Sequence, residues 1–336
     1  MRRHRLGGEM IVVTGATGLV GNVLLHSLAA EGKTELRALA RRGSSTALLS
    51  DLDVEVVEGD VLGYDSLVRA FDGAQVVYHL AGTVSIASGG YKRLHGANVV
   101  GTRNVLAACR EAGVGRLVYA SSVHAFVRQP HGTCLTETAA IDPGRTHGAY
   151  DRTKAEATRL VLQAAHEGLD VVVVHPSGII GPFDHRPSPI GAAIIACGRG
   201  GLGVYVHGAY NFVDVRDVAQ GLMAAAARGR PGESYLLTGD EITVAELLQT
   251  VARLVGGRPP RLRVPLRLIK AVGPLIPFYY WVTREQPLFT SYSLRVLSSN
   301  CRMSYEKAAR ELGFSPRPIQ ESLEDAVRWF CEQGMI

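Results

Sequence analysis

Six short runs of β-branched and other apolar residues recur at intervals through the first half of the chain, at residues 10–14, 36–39, 54–57, 76–80, 117–119 and 171–174. Most carry too few polar positions for a strand with one face in water. Strands apolar on both faces and separated by helices belong to a parallel sheet covered on both sides. Between the runs, residues 19–30, 66–71, 91–112 and 148–167 have the length and apolar spacing of crossover helices. The pattern predicts an α/β chain with a doubly wound parallel sheet of the Rossmann type.

Beyond about residue 176 the composition changes. Gly- and Pro-rich stretches at 182–189 and 198–203 alternate with amphipathic helical patterns at 244–254 and 319–331, and these predict a smaller C-terminal lobe that binds substrate. The run Tyr235-Leu-Leu237 is a candidate to return to the main sheet. The expected organisation is a loose tail over residues 1–9, a nucleotide-binding domain over 10–176 with parts of 204–240, and a substrate-binding lobe over most of 177–336. A chain of 336 residues can bury the core that such a division needs.

The first apolar run leads directly into Thr14-Gly-Ala-Thr-Gly-Leu-Val-Gly21, which opens the first helix. This is where a dinucleotide-binding turn has to lie. Gly15 permits the tight turn, Gly18 lets the backbone approach a pyrophosphate, and Gly21 lets the helix pack closely on the strand. Gly15, Thr17, Gly18, Leu19, Val20 and Gly21 are therefore candidate cofactor contacts. An acidic residue about 20 positions after the first glycine would hold the ribose hydroxyls of NAD, whereas arginine there accommodates the phosphate of NADP. The second strand ends in Leu39-Ala-Arg-Arg-Gly43. Arg41 and Arg42 can pair with a phosphate, so NADP (NADPH) is expected in preference to NAD. Asp60, at the end of the third run, either accepts from an adenine amino group or caps a turn.

Far downstream, Tyr150 and Lys154 lie four residues apart within a predicted helix and so share one face. A phenol near pKa ~10 is a poor acid or base at neutral pH, and a neighbouring ammonium would lower it toward the working range. The pair is a candidate for proton transfer.

Other classes are excluded by composition. Net charge is +5, partly from the opening Met-Arg-Arg-His-Arg, but no basic stripe with interleaved aromatics follows, so nucleic acid is not an expected partner. Five scattered cysteines, Cys109, Cys134, Cys197, Cys301 and Cys331, fit neither a disulfide framework nor a zinc site. They suit a reducing cytoplasm, and no metal is expected. The apolar stretch 264–282 is interrupted by Pro265, Arg267, Lys270, Pro274 and Pro277, so it does not read as a spanning helix. Its Leu266, Ile269, Leu275, Ile276, Phe278, Tyr279, Tyr280 and Trp281 could cover a substrate, touch a bilayer surface peripherally, or form ordinary lobe core.

The glycine motif, Gly59-Asp-Val61, His79-Leu-Ala-Gly82, Asn98-Val-Val-Gly-Thr102, Ser121-Ser122, Tyr150 with Lys154, and Pro176-Ser-Gly-Ile-Ile-Gly-Pro182 occur in this order. Together they resemble the extended short-chain dehydrogenase/reductases over roughly residues 10 to 331. The resemblance implies that Asp60, Val61, Leu80, Ala81, Gly82, Pro176 and Ile179 line the cofactor, with Tyr150 and Lys154 also touching it. It further implies that Tyr150 exchanges a proton with the reacting oxygen and that Lys154 holds the nicotinamide ribose and depresses the tyrosine pKa. Ser122 would bind the same oxygen, with Ser121 as the alternative, and Asn98 would either support a proton relay or serve as a helix-internal polar residue.

Sugar-nucleotide dehydratases of this family follow the serine or threonine with Asp-Glu, where this chain has Val123-His124. The arginine that helps bind a sugar diphosphate is missing from Tyr210-Asn-Phe-Val-Asp-Val-Arg-Asp217. These departures resemble the dihydroflavonol reductase and 3β-hydroxysteroid dehydrogenase branches, which act on apolar ketones or secondary alcohols. His124 and His147 flank the expected site as substrate contacts or as neutral loop residues. The resemblance implies an NADP(H)-dependent reductase or dehydrogenase of a lipophilic small molecule, homodimeric through helices 91–112 and 148–167. An epimerase or isomerase that recycles its hydride, and a non-enzymatic NADP sensor, are the competing readings.

Overall fold

The structure, a computed structural model, describes residues 9–84, 90–260, 262–264, 296–297 and 299–336. The apolar runs pair into one parallel sheet of seven strands: β1 (Ile11–Thr14), β2 (Leu36–Ala40), β3 (Glu55–Glu58), β4 (Val76–His79), β5 (Arg116–Ala120), β6 (Val171–Pro176) and β10 (Ser234–Leu237). Their order is β10-β6-β5-β4-β1-β2-β3. The chain winds outward from β1 in one direction and from β4 in the other, and the switch between these neighbours opens a crevice at the carboxyl ends of the strands. Ligands bind at such a crevice in open α/β sheets.

The sheet is apolar throughout because it is covered twice. Along β6, Val172 and Val174 enter the core beneath α1 (Leu19–Ala30) and α7 (Val215–Arg228), while Val171 and Val173 enter the opposite core. That second core lies beneath α2 (Tyr64–Phe71), α4 (Gly101–Ala112) and α5 (Ala149–His166). All four valines are fully buried, and each contributes about 1.5–3 kcal/mol relative to exposure. The run at residues 54–57 is the exception. As the outer strand β3 it pairs only with β2, and Glu55, Val56 and Glu58 face water.

The single helix expected over residues 91–112 is interrupted. Helix α3 (Tyr91–His95) passes through a π turn, Gly96–Val100, before α4 begins. Such turns add a residue to the helix and cluster at functional sites.

Beyond β6 the chain builds a second, smaller sheet in the order β11-β9-β7 from β7 (Gly178–Ile180), β9 (Ala209–Asp214) and β11 (Asp240–Thr243). It packs with α6 (Pro189–Gly198), α8 (Val244–Leu254) and α10 (Ile319–Glu332) around Ile180, Phe212, Leu247 and Phe330. A short pair, β8 (Val204–Val206) with β12 (Leu262–Val264), completes this part. Helix α9 (Glu306–Leu312) instead returns to the main core through Ala308 and Leu312. The opening basic residues and the aromatic stretch up to Trp281, apart from Val264, lie outside the described residues. Among the described residues no helix is long and apolar enough to cross a membrane.

Candidate active site

The glycine turn stands at the switch point. Gly15 has φ +72°, and a Cβ on it would lie 2.7 Å from the amide nitrogen of Ala81. This residue is glycine both for its left-handed backbone and for its approach to the loop after β4. At Gly21 a Cβ would come within 2.3 Å of the Gly15 carbonyl oxygen, so any larger residue would push α1 off the turn. At Gly18, the N-cap of α1, an added Cβ would lie 3.3 Å from that same oxygen. No side chain caps α1 and no acidic residue occupies its first turn. The first-turn amides of Leu19, Val20 and Gly21, beside Thr17, thus form a site for an anion.

Behind the turn runs a buried hydrogen-bond chain that the sequence did not reveal. Ala81 N–H donates to Thr14 Oγ1 (3.2 Å), Thr14 Oγ1 meets His79 Nδ1 (2.8 Å), His79 Nε2 meets Thr102 Oγ1 (3.0 Å), and Thr102 Oγ1 donates to the carbonyl of Asn98 (2.7 Å). Thr102 has one hydroxyl proton and spends it on Asn98, so His79 must donate from Nε2 and accept at Nδ1. Burial, aided by the charge of Lys154, pushes the His79 pKa down to about 3 and keeps the ring neutral. The chain fixes Ala81, with Leu80 and Gly82 on either side, to the π turn.

Asn98 is itself fully engaged. Its Oδ1 accepts from Thr83 N–H (2.8 Å), and its Nδ2 donates to Thr83 O and to Thr153 Oγ1 (3.1 Å each). Its side chain therefore ties the loop after β4 to α5, one residue before Lys154.

Ser122, Tyr150 and Lys154 converge at the carboxyl end of β5. Ser122 caps a short 3-10 turn (Val123–Ala125), its Oγ accepting from His124 N–H (3.2 Å), and its hydroxyl lies beside the Tyr150 phenol. Burial pushes that phenol up to about 12, the neighbouring Ser122 hydroxyl opposes the rise, and the charge of Asp151 adds to it. Lys154 Nζ donates to the Ala120 carbonyl (2.9 Å) and approaches Tyr119 OH (3.4 Å), and burial lowers its pKa to about 7. The expected depression of the tyrosine pKa by the lysine is thus reversed in this structure. Both groups lose water, and desolvation penalises the charged form of each.

Ser121 is committed elsewhere, its Oγ lying 2.6 Å from Thr158 Oγ1, which in turn bonds the Lys154 carbonyl. Of the two serines only Ser122 faces the phenol. Its own carbonyl lies 3.2 Å from Nδ1 of the buried His175.

The remaining expected contacts lie around the same crevice. Arg41 and Arg42 are exposed just beyond β2. One carboxylate oxygen of Asp60 accepts from Leu62 N–H (2.9 Å) in a turn, and Val61 packs where Gly101 leaves room for it. Pro176 ends β6 and Ile179 lies in β7. Between them the buried Ser177 Oγ has no hydrogen-bond partner, nor has Thr238 Oγ1 just beyond β10. A glycine-built cradle and an unpaired buried hydroxyl on the opposite side of the crevice fit a dinucleotide.

Two participants went unread. Asp151, next to Tyr150, is buried, and its Oδ1 lies 3.2 Å from His124 Nδ1. Tyr210 OH on β9 lies 2.8 Å from His124 Nε2. The available signal was an acidic residue following the tyrosine and a histidine two positions after the serine. His147, by contrast, is exposed in the loop before α5. Beside His124 and Tyr210 lies a cavity of about 40 Å³, walled by Val123, Phe126, Leu135 and Met303. All five cysteines are free thiols, and among the described residues no cluster of His, Cys, Asp or Glu could hold a metal ion.

A parallel sheet with a glycine turn at its switch point, and a serine, a tyrosine and a lysine at the mouth, defines a Rossmann-type dinucleotide enzyme. Residues 11–238 match the NAD dependent epimerase/dehydratase family, and the chain belongs to it. It is an extended short-chain dehydrogenase/reductase and an NAD(P)-dependent oxidoreductase, related to dihydroflavonol reductases and 3β-hydroxysteroid dehydrogenases. Sterol demethylase protein B of Methylococcus capsulatus is 39% identical over 97% of this chain and 99% of its own length. A Synechocystis sp. protein bearing the name of a dihydroflavonol 4-reductase is 36% identical over 98% of this chain and 96% of its own. The crystal structure of gox2253 superposes with a TM-score of 0.86 at 32% identity, covering 98% of this chain and 99% of that one.

Proposed function

We propose that this protein is an NADP(H)-dependent ketone reductase or secondary alcohol dehydrogenase of a lipophilic small molecule, working through Ser122, Tyr150 and Lys154. The observation that carries this reading is the convergence of Ser122, Tyr150 and Lys154 at the mouth of the glycine-lined crevice, Tyr150 and Lys154 lying one helical turn apart on α5. The nicotinamide, when bound, supplies or accepts the hydride. Gly15 to Gly21 would hold its pyrophosphate, Arg41 and Arg42 the extra phosphate, and Ser177 and Ile179 the nicotinamide side.

Ser122 and Tyr150 together bind the carbonyl oxygen, and Tyr150 gives it a proton from Oη. A phenol raised to about 12 is held protonated at neutral pH, which suits the reducing direction. Lys154, at about 7, is poised to return a proton to the phenolate, while Asn98 keeps α5 in register with the loop after β4. The cavity of about 40 Å³ beside Val123 and Phe126, with Arg128, Gln129 and Asp151 also on its walls, would take only a small part of the substrate next to the reacting carbon. The name of the sterol demethylase relative supports a large apolar substrate. The free thiols of all five cysteines support a cytoplasmic location.

Mass spectrometry of the nucleotide that survives dialysis, with titrations of NADPH and NADH into the stripped protein, tests the reading. Exchangeable binding that prefers NADPH supports it. Stoichiometric, retained NAD overturns it in favour of internally recycled hydride.

A further inference from the structure

Beside the tyrosine, three side chains from three elements form a line that the serine, tyrosine and lysine do not require. Asp151 Oδ1 lies 3.2 Å from His124 Nδ1, and His124 Nε2 lies 2.8 Å from Tyr210 OH. We propose that Asp151, His124 and Tyr210 form a proton relay that sets the charge beside Tyr150, with His124 as a positioning residue. The proposal rests on the reductase reading for its purpose, though not for its geometry.

For the neutral imidazole, donor counting fixes the tautomer. A carboxylate only accepts, so His124 donates from Nδ1 to Asp151. The lone pair on Nε2 then accepts the Tyr210 hydroxyl proton. When the imidazole takes up one proton at Nε2, that nitrogen becomes a donor to Tyr210 Oη. The Tyr210 proton is then free to turn toward another acceptor. One proton enters at the imidazole and none is lost, so the event reverses the Tyr210 hydrogen bond without breaking the line. Protonation therefore delivers a hydroxyl donor at the cavity, where an oxygen of the substrate could receive it.

The surroundings make this consequential. The imidazole meets the Tyr150 ring edge-on, with centroids 5.7 Å apart, and stacks with Tyr210 at 6.1 Å. Its backbone N–H donates to Ser122 Oγ (3.2 Å), so ring and serine sit on one turn. Among the described residues, the charged and titratable groups facing it include Asp151 and Tyr150 from α5, Arg128 from the segment after the 3-10 turn, and Tyr210 from β9, with Cys301 beyond Tyr210. Arg128 Nη2 is 3.5 Å from Asp151 Oδ2 and braces the carboxylate. The Asp151 charge opposes ionisation of Tyr150, and an imidazolium on His124 would offset it. The relay also fastens the second sheet to the catalytic turn. Tyr210 reaches His124 because Gly178, where a Cβ would lie 2.7 Å from both the Tyr210 and Phe212 rings, leaves space for that aromatic pair.

The test uses the full chain with ¹⁵N-labelled histidine, read by NMR across pH, in wild type and in Asp151→Asn, Tyr210→Phe and His124→Gln. The last variant assigns the signal. Glutamine can also make both hydrogen bonds while being unable to gain the proton. The expected neutral tautomer is Nδ1–H. Asp151→Asn should move the Nδ1 resonance and lift the preference for the Nδ1–H tautomer, and Tyr210→Phe should move the Nε2 resonance alone. An Nε2–H tautomer, or an Nδ1 resonance unmoved by Asp151→Asn, would overturn the relay. These readings need no substrate, so failure of every ketone in a turnover screen would count against the reductase reading and leave the relay standing. With a ketone that turns over, His124→Gln should remove one limb of the kcat/KM pH profile. An unaltered profile would reduce His124 to a structural tie and refute its proton role.

Discussion

Two neutral histidines locked inside the sheet should make this protein sensitive to mild acid. His79 and His175 are fully buried, and burial lowers the pKa of each from 6.5 to about 3. The Ser122 carbonyl opposes the fall at His175, whereas Lys154 reinforces it at both. Above pH 6.5 neither the folded nor the unfolded chain holds these protons, and their contribution to stability is complete. As the pH falls below 6.5 the unfolded chain binds both protons, and the folded one binds neither until about pH 3, so stability declines across that window. Each unmatched proton costs about 1.4 kcal/mol per pH unit, or roughly 2.7 kcal/mol per unit for the pair. By pH 5 the loss reaches about 4 kcal/mol, a large share of the roughly 5–15 kcal/mol that holds a folded domain together. Urea unfolding followed by circular dichroism between pH 7 and 5 measures the slope before most carboxylates begin to titrate. His175→Gln should halve it. A midpoint that stays constant over this range, or a slope well below one proton, would refute the account of both rings as neutral and desolvated.

Replacing Tyr150 by Phe should lower turnover by about 10²–10⁴-fold while leaving NADPH affinity, measured by fluorescence titration, within a few-fold. Removing both Arg41 and Arg42 should weaken NADPH binding by roughly 10–100-fold through loss of charge-assisted hydrogen bonds, with NADH little changed in calorimetry. Gly15→Ala should abolish nucleotide binding in the same titration, because the added Cβ meets backbone at 2.7 Å. It should also cost about 2–5 kcal/mol of stability from left-handed strain and overpacking. Lys154→Met should inactivate the enzyme in a turnover assay yet raise its unfolding midpoint near neutral pH. It removes an ammonium whose burial is unfavourable below the ordinary lysine pKa and progressively less so between about 7 and 10.5.

The main sheet was legible because its inner strands had to be apolar on both faces, and local pattern carries that information; the outer strand β3 showed only its β-branched residues. Helix α1 was legible to the residue for the same reason, with a glycine at its start and a polar turn at its end. The second sheet was not. Strand β7 has three residues and β11 begins Asp240-Glu241, and both exist through pairing with β9, a contact distant in sequence. The π turn escaped notice because an inserted residue leaves helical periodicity almost intact over so short a span. At the site, residue types pointed to Tyr150, Lys154 and Ser122, which the structure brings together at the end of β5. They could not announce His79 or Asp151, since a buried polar group is defined by partners on neighbouring elements. The tyrosine–lysine pair also showed that spacing gives direction but not dielectric. Desolvation of the buried lysine and the half-buried phenol moves both pKa values against the Coulombic expectation.

The extra residue at Gly96–Val100 has a meaning for how this enzyme could be altered. A deletion of one residue there would let 91–112 close into an ordinary helix with better backbone bonds, and by local criteria that chain should be sturdier. It would also rotate everything before the deletion by about 100° relative to α4, taking Asn98 away from Thr83 and Thr153 or Thr102 away from its carbonyl. Any search that selects variants for heat resistance alone would therefore favour this shortening, and with it a well-folded protein whose loop after β4 and helix α5 no longer keep step.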